Sequence, residues 1–336
     1  RACGTGLETI MNIANKIALD QIDSGIGGGV DSISDAPIVY NDNLRKILLK
    51  SFTGKSLKEK LVPWSRMRPK LLKPKLPGVK EPRTGLSMGE STEIIAKDYA
   101  ISRHDQDTLA IESHAKASRA YDEGFYKDLV VPFEGVEKDN IIRHDSTIQK
   151  LASLKTVFDK GVNATLTPGN STSLTDGSAA VLLASDEWAN KNNLDIESYI
   201  TSFEIAAVNY IDNEGLLMAP AYAVSEMLKK QNLNLQDFDF YEIHEAFAAQ
   251  TLATINAWKS EEFCKSKLGR EKVMGSFDHN KLNVKGGSLA IGHPFAATGA
   301  RIVATLSKLL KDNGGGKGLI SICTAGGMGI TAILER

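Results

Sequence analysis

Cysteine is scarce in this chain. Cys3, Cys264 and Cys323 are the only three among 336 residues. So few, so far apart, exclude a disulfide framework, and no paired-cysteine spacing of a structural zinc site occurs. A reducing compartment is the natural setting. Long apolar runs are also absent. None approaches the ~20 residues that a membrane-spanning helix needs. An excess of one charge is missing overall: the net charge is −1, which gives no argument for a nucleic-acid partner. Neither a GxGxxG turn nor a P-loop occurs, so there is no dinucleotide or nucleoside-triphosphate fingerprint. No short-period repeat is visible. The rest is ordinary globular composition, 42% hydrophobic and 24% charged, in a chain too long for one ordinary domain.

What is present is chemically pointed. Cys3 precedes an apolar stripe, Leu7, Ile10, Met11, Ala14, Ile17 and Ala18, at helical spacing. A thiol at a helix N-terminus is expected to feel the positive dipole end, which favours the thiolate. His293 lies in the tight run Gly292-His293-Pro294, with a helix expected from near Ala297. Cys323 ends an apolar run and meets Thr324-Ala325-Gly326-Gly327. A fourth polar group, His244, opens His244-Glu245-Ala246-Phe247. Two thiols and an imidazole suit an enzyme that needs a nucleophile, a base and a separate acid. The flanking glycines let backbone N–H groups approach a developing oxyanion. An isolated cysteine is more often an inert core residue, and an isolated histidine a satisfied loop residue. Cys264, in a charged helix, reads as a bystander, and His104, His114, His144 and His279 read as solvated surface.

Ser91 to Gly124 reads as helical, Val181-Ala184 and Leu319-Cys323 as short buried strands, and Leu306-Leu310 as the end of a helix stopped by Gly314-Gly316. Strands alternating with helices predict an α/β chain with a largely parallel sheet. Charge is uneven. Residues 41–83 hold thirteen Lys/Arg against three acids, a net +10, leaving the remainder of the chain at −11. Pro63, Pro69, Pro74, Pro77 and Pro82 in the same segment break long helices, so it reads as an excursion from the core. Its lysines and arginines alternate with Leu48, Leu49, Phe52, Leu57, Leu61, Trp64, Met67, Leu71 and Leu72. That pattern suits an anionic membrane surface, or a channel steering a long, phosphate-bearing ligand towards Cys3. The bland alternative is a solvated insertion whose leucines pack on their own small core.

Arg1-Ala2-Cys3-Gly4-Thr5-Gly6-Leu7-Glu8-Thr9-Ile10 resembles the nucleophile segment of thiolases. Gly28-Gly29-Val30-Asp31-Ser32 resembles their GGxES turn, and Pro168-Gly169-Asn170-Ser171-Thr172 with Asp176-Gly177 their AGNAS…DG stretch. Asn283-Val284-Lys285-Gly286-Gly287, Gly292-His293-Pro294 and Ala297-Thr298-Gly299-Ala300-Arg301 resemble their histidine segment, and Cys323 to Gly329 their second-cysteine segment. The pieces occur in order from the first residue to the last, and their joint occurrence is specific.

The resemblance implies a thiolase-like five-layered αβαβα fold of two similar halves with an inserted loop domain. The corresponding spans are 1–38 and 164–194 for the N-terminal half, 39–163 for the insertion and 195–336 for the C-terminal half. A strand-helix-strand portion precedes the cysteine in thiolases, so the first half is expected to lack its N-terminal portion here. The implied catalytic residues are Cys3, His293, Cys323 and His244. The implied oxyanion holes use the backbone of Cys3 and Ala325, and His293 with His244. Thr172, Gly169 and Phe295 are the implied substrate-binding residues. The family usually has glycine where Ala325 stands, and many members have asparagine where His244 stands. These departures and the basic insertion resemble the branch of trifunctional-complex β subunits and their bacterial relatives.

The implied activity is CoA-dependent cleavage of a 3-ketoacyl-CoA through a cysteine acyl-enzyme, with no metal and no permanently bound cofactor. A short-chain, biosynthetic acetoacetyl-CoA thiolase and a non-catalytic thiolase-like subunit are the alternatives. A Cys-His-His set also resembles β-ketoacyl synthases, but Cys323, following His293 at the thiolase position, separates the two. Implied partners are CoA and acyl-CoA, a second copy or more of the chain, a subunit with hydratase and dehydrogenase activities, and an anionic membrane through residues 41–83. The implied location is a bacterial cytoplasm, with a mitochondrion as the alternative.

Overall fold

The computed structural model describes residues 1–212 and 214–336. They divide into two compact units. One comprises Arg1–Asp31 with Lys80–Arg336, the other Ser32–Val79.

The larger unit is built on two sheets. β1 (Ser24–Asp31) pairs with β2 (Gly177–Ala184) as an antiparallel two-stranded sheet. β3 (Tyr199–Ala207), β4 (Phe240–Ile243), β5 (Lys317–Thr324) and β6 (Met328–Glu335) form a four-stranded sheet in the order β3-β6-β5-β4. Among these pairs only β4 and β5 run parallel. The expected largely parallel sheet is therefore corrected. The cause lies in Ala325-Gly326-Gly327, a tight turn that folds β6 straight back on β5. A glycine pair between two apolar runs is a hairpin signal that strand–helix alternation overrode.

Helices Thr5–Ala18 and Phe295–Asp312 pack between the two sheets. Leu7, Ile10, Ile302, Val303, Leu306 and Leu310 share one buried cluster there with Ile320, Ile322, Ile330 and Leu334 of β5 and β6. Fully burying each such side chain contributes roughly 1.5–3 kcal/mol. The far face of the four-stranded sheet is covered by the helix Ala219–Gln231. That side merges into the largest core, with Phe238, Tyr241, Trp258 and Met227 fully buried.

The two central helices touch at glycines. A Cβ on Gly299 would overlap the backbone nitrogen of Leu7, and one on Gly6 would lie 2.6 Å from the Ala296 carbonyl oxygen. This close approach joins the segment that carries Cys3 to the segment that follows His293. Asp31, at the end of β1, adds a second tie: its carboxylate accepts a 2.6 Å hydrogen bond from the Ala296 N–H. A carboxylate there suits the positive end of the helix Phe295–Asp312.

The helical stretch read over Ser91–Gly124 is two helices, Met88–Asp98 and Arg103–Asp122. Ser87 starts the first with a reciprocal capping box to Glu90, and Ser102 caps the second. Both belong to the larger unit. The smaller compact unit begins at Ser32, before the expected start at 39, and ends at Val79, well inside the 39–163 span. Glu93 shows why the first helix stays outside it: its buried carboxylate accepts from the N–H groups of Thr165 and Leu166, fastening the helix to the 164–170 loop.

The smaller unit matches most of the basic segment. Its main helix, Asp42–Thr53, is capped by Asn41 and ends before the prolines begin. A one-turn helix and two 3-10 turns follow, Val62–Arg66 and Pro69–Leu72, each with a proline in its first two positions. Its core is small: Leu44, Ile47 and Leu71, backed by Leu48 and Met67. Phe52 is 87% exposed and Leu57 74%. Among the described residues no helix is long and apolar enough to cross a membrane.

Candidate active site

Cys3 lies in a 3-10 turn, Ala2–Gly4, that leads directly into the helix Thr5–Ala18. The residue is half-buried. Burial pushes the thiol up to about 11, and the N–H groups of Ala325 and of Cys3 itself, which face the sulfur, only partly counter that. Burial thus works against the thiolate that the helix end was expected to favour. The Ala325 N–H faces Cys3 with a side chain present at 325. Ala325 keeps an ordinary backbone, while the left-handed φ values fall on Gly326 and Gly327.

His293 follows Gly292, whose φ of +96° lies in the region that favours glycine. The His293 N–H donates to the Ser173 carbonyl at 3.0 Å, holding the loop. Its Nδ1 lies 2.6 Å from Thr298 Oγ1, one turn into the following helix. That helix begins at Phe295, two residues before the expected start. Burial, with the Arg301 guanidinium nearby, lowers the imidazole to about 3. His244 sits just past the end of β4, its ring centroid 4.2 Å from that of His293. Its Nδ1 lies 2.9 Å from Ser288 Oγ. Burial, then His293 and Arg301, hold it well below the usual histidine range. The Nε2 atoms of both rings are buried without a hydrogen-bond partner. One potential ligand atom from each of Cys3, His244 and His293 lies within 4.8 Å of the others, the sole metal-ligand-type trio among the described residues.

Cys323, the penultimate residue of β5, is buried, its sulfur 3.4 Å from Gln250 Oε1. Burial and then the neighbouring Cys3 push its thiol well above the ordinary range. The two sulfurs thus interact across the same small space. Both remain protonated near neutral pH, beside two neutral imidazoles. Such a set can take one proton at nitrogen and deliver another from sulfur.

Of the expected binding residues, Phe295 meets His293 edge-on at 5.0 Å. Thr172 donates to the Ser288 carbonyl at 2.6 Å, beside the His244 contact. Gly169 instead packs against Leu151 and Leu154. Cys264 is buried away from the trio, its sulfur 3.4 Å from the Trp258 carbonyl. His114 is also buried, accepting from the Arg143 N–H at 3.1 Å, which corrects its surface assignment. His104, His144 and His279 are exposed as expected.

Two family models cover this chain: the thiolase N-terminal domain matches residues 1–187 and the thiolase C-terminal domain residues 194–336. The chain belongs to the thiolase family. A 3-ketoacyl-CoA thiolase of Yersinia pestis (strain Pestoides F) is 42% identical, over 100% of this chain and 78% of its own length. Human mitochondrial 3-ketoacyl-CoA thiolase, solved in complex with CoA, superposes with a TM-score of 0.79 at 29% identity, over 100% of this chain and 76% of that one. The Bacillus anthracis acetyl-CoA acetyltransferase does so at 0.78 and 30% identity, over 100% and 77%.

In this thiolase the residues that sequence reading missed are those behind the trio. Glu245, inside the His244 motif, accepts from Ser113 at 2.7 Å and from Asn283 at 2.6 Å, tying helix Arg103–Asp122 to the loop before His293. Asn170 donates to Asp107 at 2.9 Å, and its carbonyl accepts from the Ala248 N–H at 3.0 Å. Gln250, Ser288, Thr298 and Arg301 line the backs of Cys323 and the two rings. Thr298 and Arg301 are three apart on one helix and so share a face.

Proposed function

We propose that this thiolase is a 3-ketoacyl-CoA thiolase, an acyltransferase that cleaves 3-ketoacyl-CoA with CoA. The reading is supported by the meeting of Cys3, His244 and His293 within 4.8 Å, with Cys323 acting on Cys3 from the adjacent strand end. His293 Nε2 takes the Cys3 proton as the sulfur attacks the 3-keto carbon. The N–H groups of Cys3 and Ala325 hold the resulting oxyanion. The bond between carbons 2 and 3 then breaks, and its electron pair leaves as the acetyl-CoA enolate. His244 and His293 stabilise the enolate oxygen, and Cys323 delivers its proton to carbon 2. In the second half the CoA thiol gives its proton to Cys323 and attacks the acyl group on Cys3. Cys3 leaves as thiolate and regains its proton from His293. This is covalent catalysis in ping-pong order, with CoA as substrate and no resident cofactor in any step.

The test is CoA-dependent cleavage across a chain-length series. Turnover of medium and long 3-ketoacyl-CoA is expected. Cleavage confined to acetoacetyl-CoA would replace this reading with the biosynthetic one, and no cleavage at all with the non-catalytic one. In the same assay Cys323→Ser is expected to slow overall turnover about 100-fold or more, while a shortened acyl group still accumulates on Cys3. The proposed setting is fatty-acid β-oxidation in a bacterial cytoplasm. There the chain works as a dimer or larger assembly, beside a hydratase/dehydrogenase partner.

A further inference from the structure

His244 and His293 lie side by side, both buried, yet the reading above gives them opposite duties at the same atom. His293 Nε2 must accept a proton. His244 Nε2 must donate a hydrogen bond to an oxygen. Nothing in the rings themselves makes that distinction. It has to come from what stands behind each Nδ1, because a neutral imidazole carries one proton and the far nitrogen decides which.

Behind His244 stands Ser288, whose Oγ is 2.9 Å from Nδ1. The same Oγ lies 3.0 Å from Nη2 of Arg301. Guanidinium can only donate, so Ser288 must accept from it. The hydroxyl proton of Ser288 then has His244 Nδ1 as its hydrogen-bond acceptor among the described contacts. Nδ1 is thereby an acceptor, and the imidazole proton sits on Nε2. Behind His293 stands Thr298, 2.6 Å from Nδ1, and no guanidinium is bonded to that hydroxyl. That hydroxyl can accept from Nδ1 of His293 as well as donate to it, so this contact admits the tautomer with Nε2 bare that a base requires. The backing is rigid. Ser288 is fully buried at the start of a short helical turn, and its carbonyl is held by Thr172 and by the N–H of Gly292. Arg301 lies on the helix whose second turn also supplies Thr298.

We propose that Arg301 and Ser288 are positioning residues that fix the proton of His244 on Nε2, so that His244 is the pair's donor and His293, whose hydroxyl partner carries no such constraint, is left to act as its base. The proposal rests on the catalytic reading above and adds its wiring. It also distinguishes the trio from a metal site, since a protonated Nε2 has no lone pair to offer a cation.

The decisive measurement is the imidazole tautomer, read by nitrogen-15 and carbon-13 NMR on the whole protein labelled at histidine. The His244 signals are identified by their loss in His244→Gln. In the wild type His244 is expected as the Nε2–H tautomer and His293 as the Nδ1–H tautomer. A wild-type His244 protonated on Nδ1 overturns the proposal without recourse to any further variant. Ser288→Ala is expected to shift His244 towards Nδ1–H and to lower kcat about 10- to 100-fold, with little change in KM for CoA. Ser288→Thr keeps the hydroxyl and is expected to restore the tautomer and most of the rate. If Ser288→Ala lowers the rate but leaves Nε2–H in place, the serine is merely structural and the proposal falls. If the tautomer switches and the rate does not change, the wiring stands and His244 has no part in the chemistry. That outcome is a failure of the functional reading, not of this one.

Discussion

Burying Cys3 removes water that would solvate its thiolate, and the facing N–H groups of Cys3 and Ala325 do not make up the difference. The folded thiol therefore titrates at about 11, and thiolate is gained only as the pH climbs towards that value. His293 moves the other way, down to about 3, so it stays neutral and able to take a proton at every pH the enzyme would meet. In the resting site the proton is on sulfur, and it transfers as the carbon–sulfur bond forms. Alkylation of Cys3 by a small haloacetamide should accordingly rise about tenfold per pH unit from pH 6 to 9, without levelling off. A plateau below pH 7 would mean a standing thiolate–imidazolium pair and would refute this account. Cys3 should still be modified before Cys264 and Cys323, since those two are buried to within 2% of full enclosure. Selectivity would then come from access, not acidity.

At the scale of elements, the contact between helices Thr5–Ala18 and Phe295–Asp312 carries the alignment of nucleophile and base. It depends on Gly299, where any Cβ would overlap the Leu7 backbone nitrogen. Backbone cannot rotate away as a side chain can, so Gly299→Ala must push the helices apart. Overpacking of this kind costs about 1–3 kcal/mol. The variant should melt several degrees lower and lose kcat more than proportionately to its folded fraction. An unchanged melting temperature and rate would mean the helices do not transmit position to the site. This contact was invisible in the sequence, where Gly299 is one glycine among 29. The four side chains of the candidate site stood out in the sequence because each sits in a short local run that resembles a thiolase motif. One helix end was legible through the Gly314-Gly316 stop, while the caps Ser87 and Ser102, which divide the stretch read over Ser91–Gly124 into two helices, went unread. Ser288 behind His244, Ser113 on Glu245 and Gln250 behind Cys323 were not legible, because their partners lie 44, 132 and 73 residues away. Hydroxyl and amide side chains carry no local sign of the distant group they will meet.

For the molecule as a whole, the charge division is the feature that catalysis does not use. The segment 41–83 carries +10 and the remainder −11, and most of the basic segment folds as the compact unit Ser32–Val79. That unit buries only Leu44, Ile47 and Leu71 as its core. It leaves Leu49 at 53%, Phe52 at 87%, Leu57 at 74%, Leu61 at 59% and Leu72 at 64% exposure. A merely solvated insertion needs the lysines but has no use for five exposed apolar side chains among them. An anionic membrane surface uses both: each basic residue near it contributes about 1 kcal/mol, and the apolar groups enter the headgroup boundary. Co-sedimentation with vesicles containing ~30 mol% anionic lipid should show binding at low ionic strength that weakens as the Debye length shrinks from about 10 Å towards 3 Å. The double substitution Phe52→Asp with Leu57→Asp leaves every lysine and arginine in place. It should release the protein from vesicles while cleavage of acetoacetyl-CoA proceeds at the unsubstituted rate. Binding that survives the double substitution would be purely electrostatic, and the exposed leucines would need another partner. No binding in either form would leave the basic unit facing protein, and a hydratase/dehydrogenase subunit with a matching acidic surface would then be the partner to test.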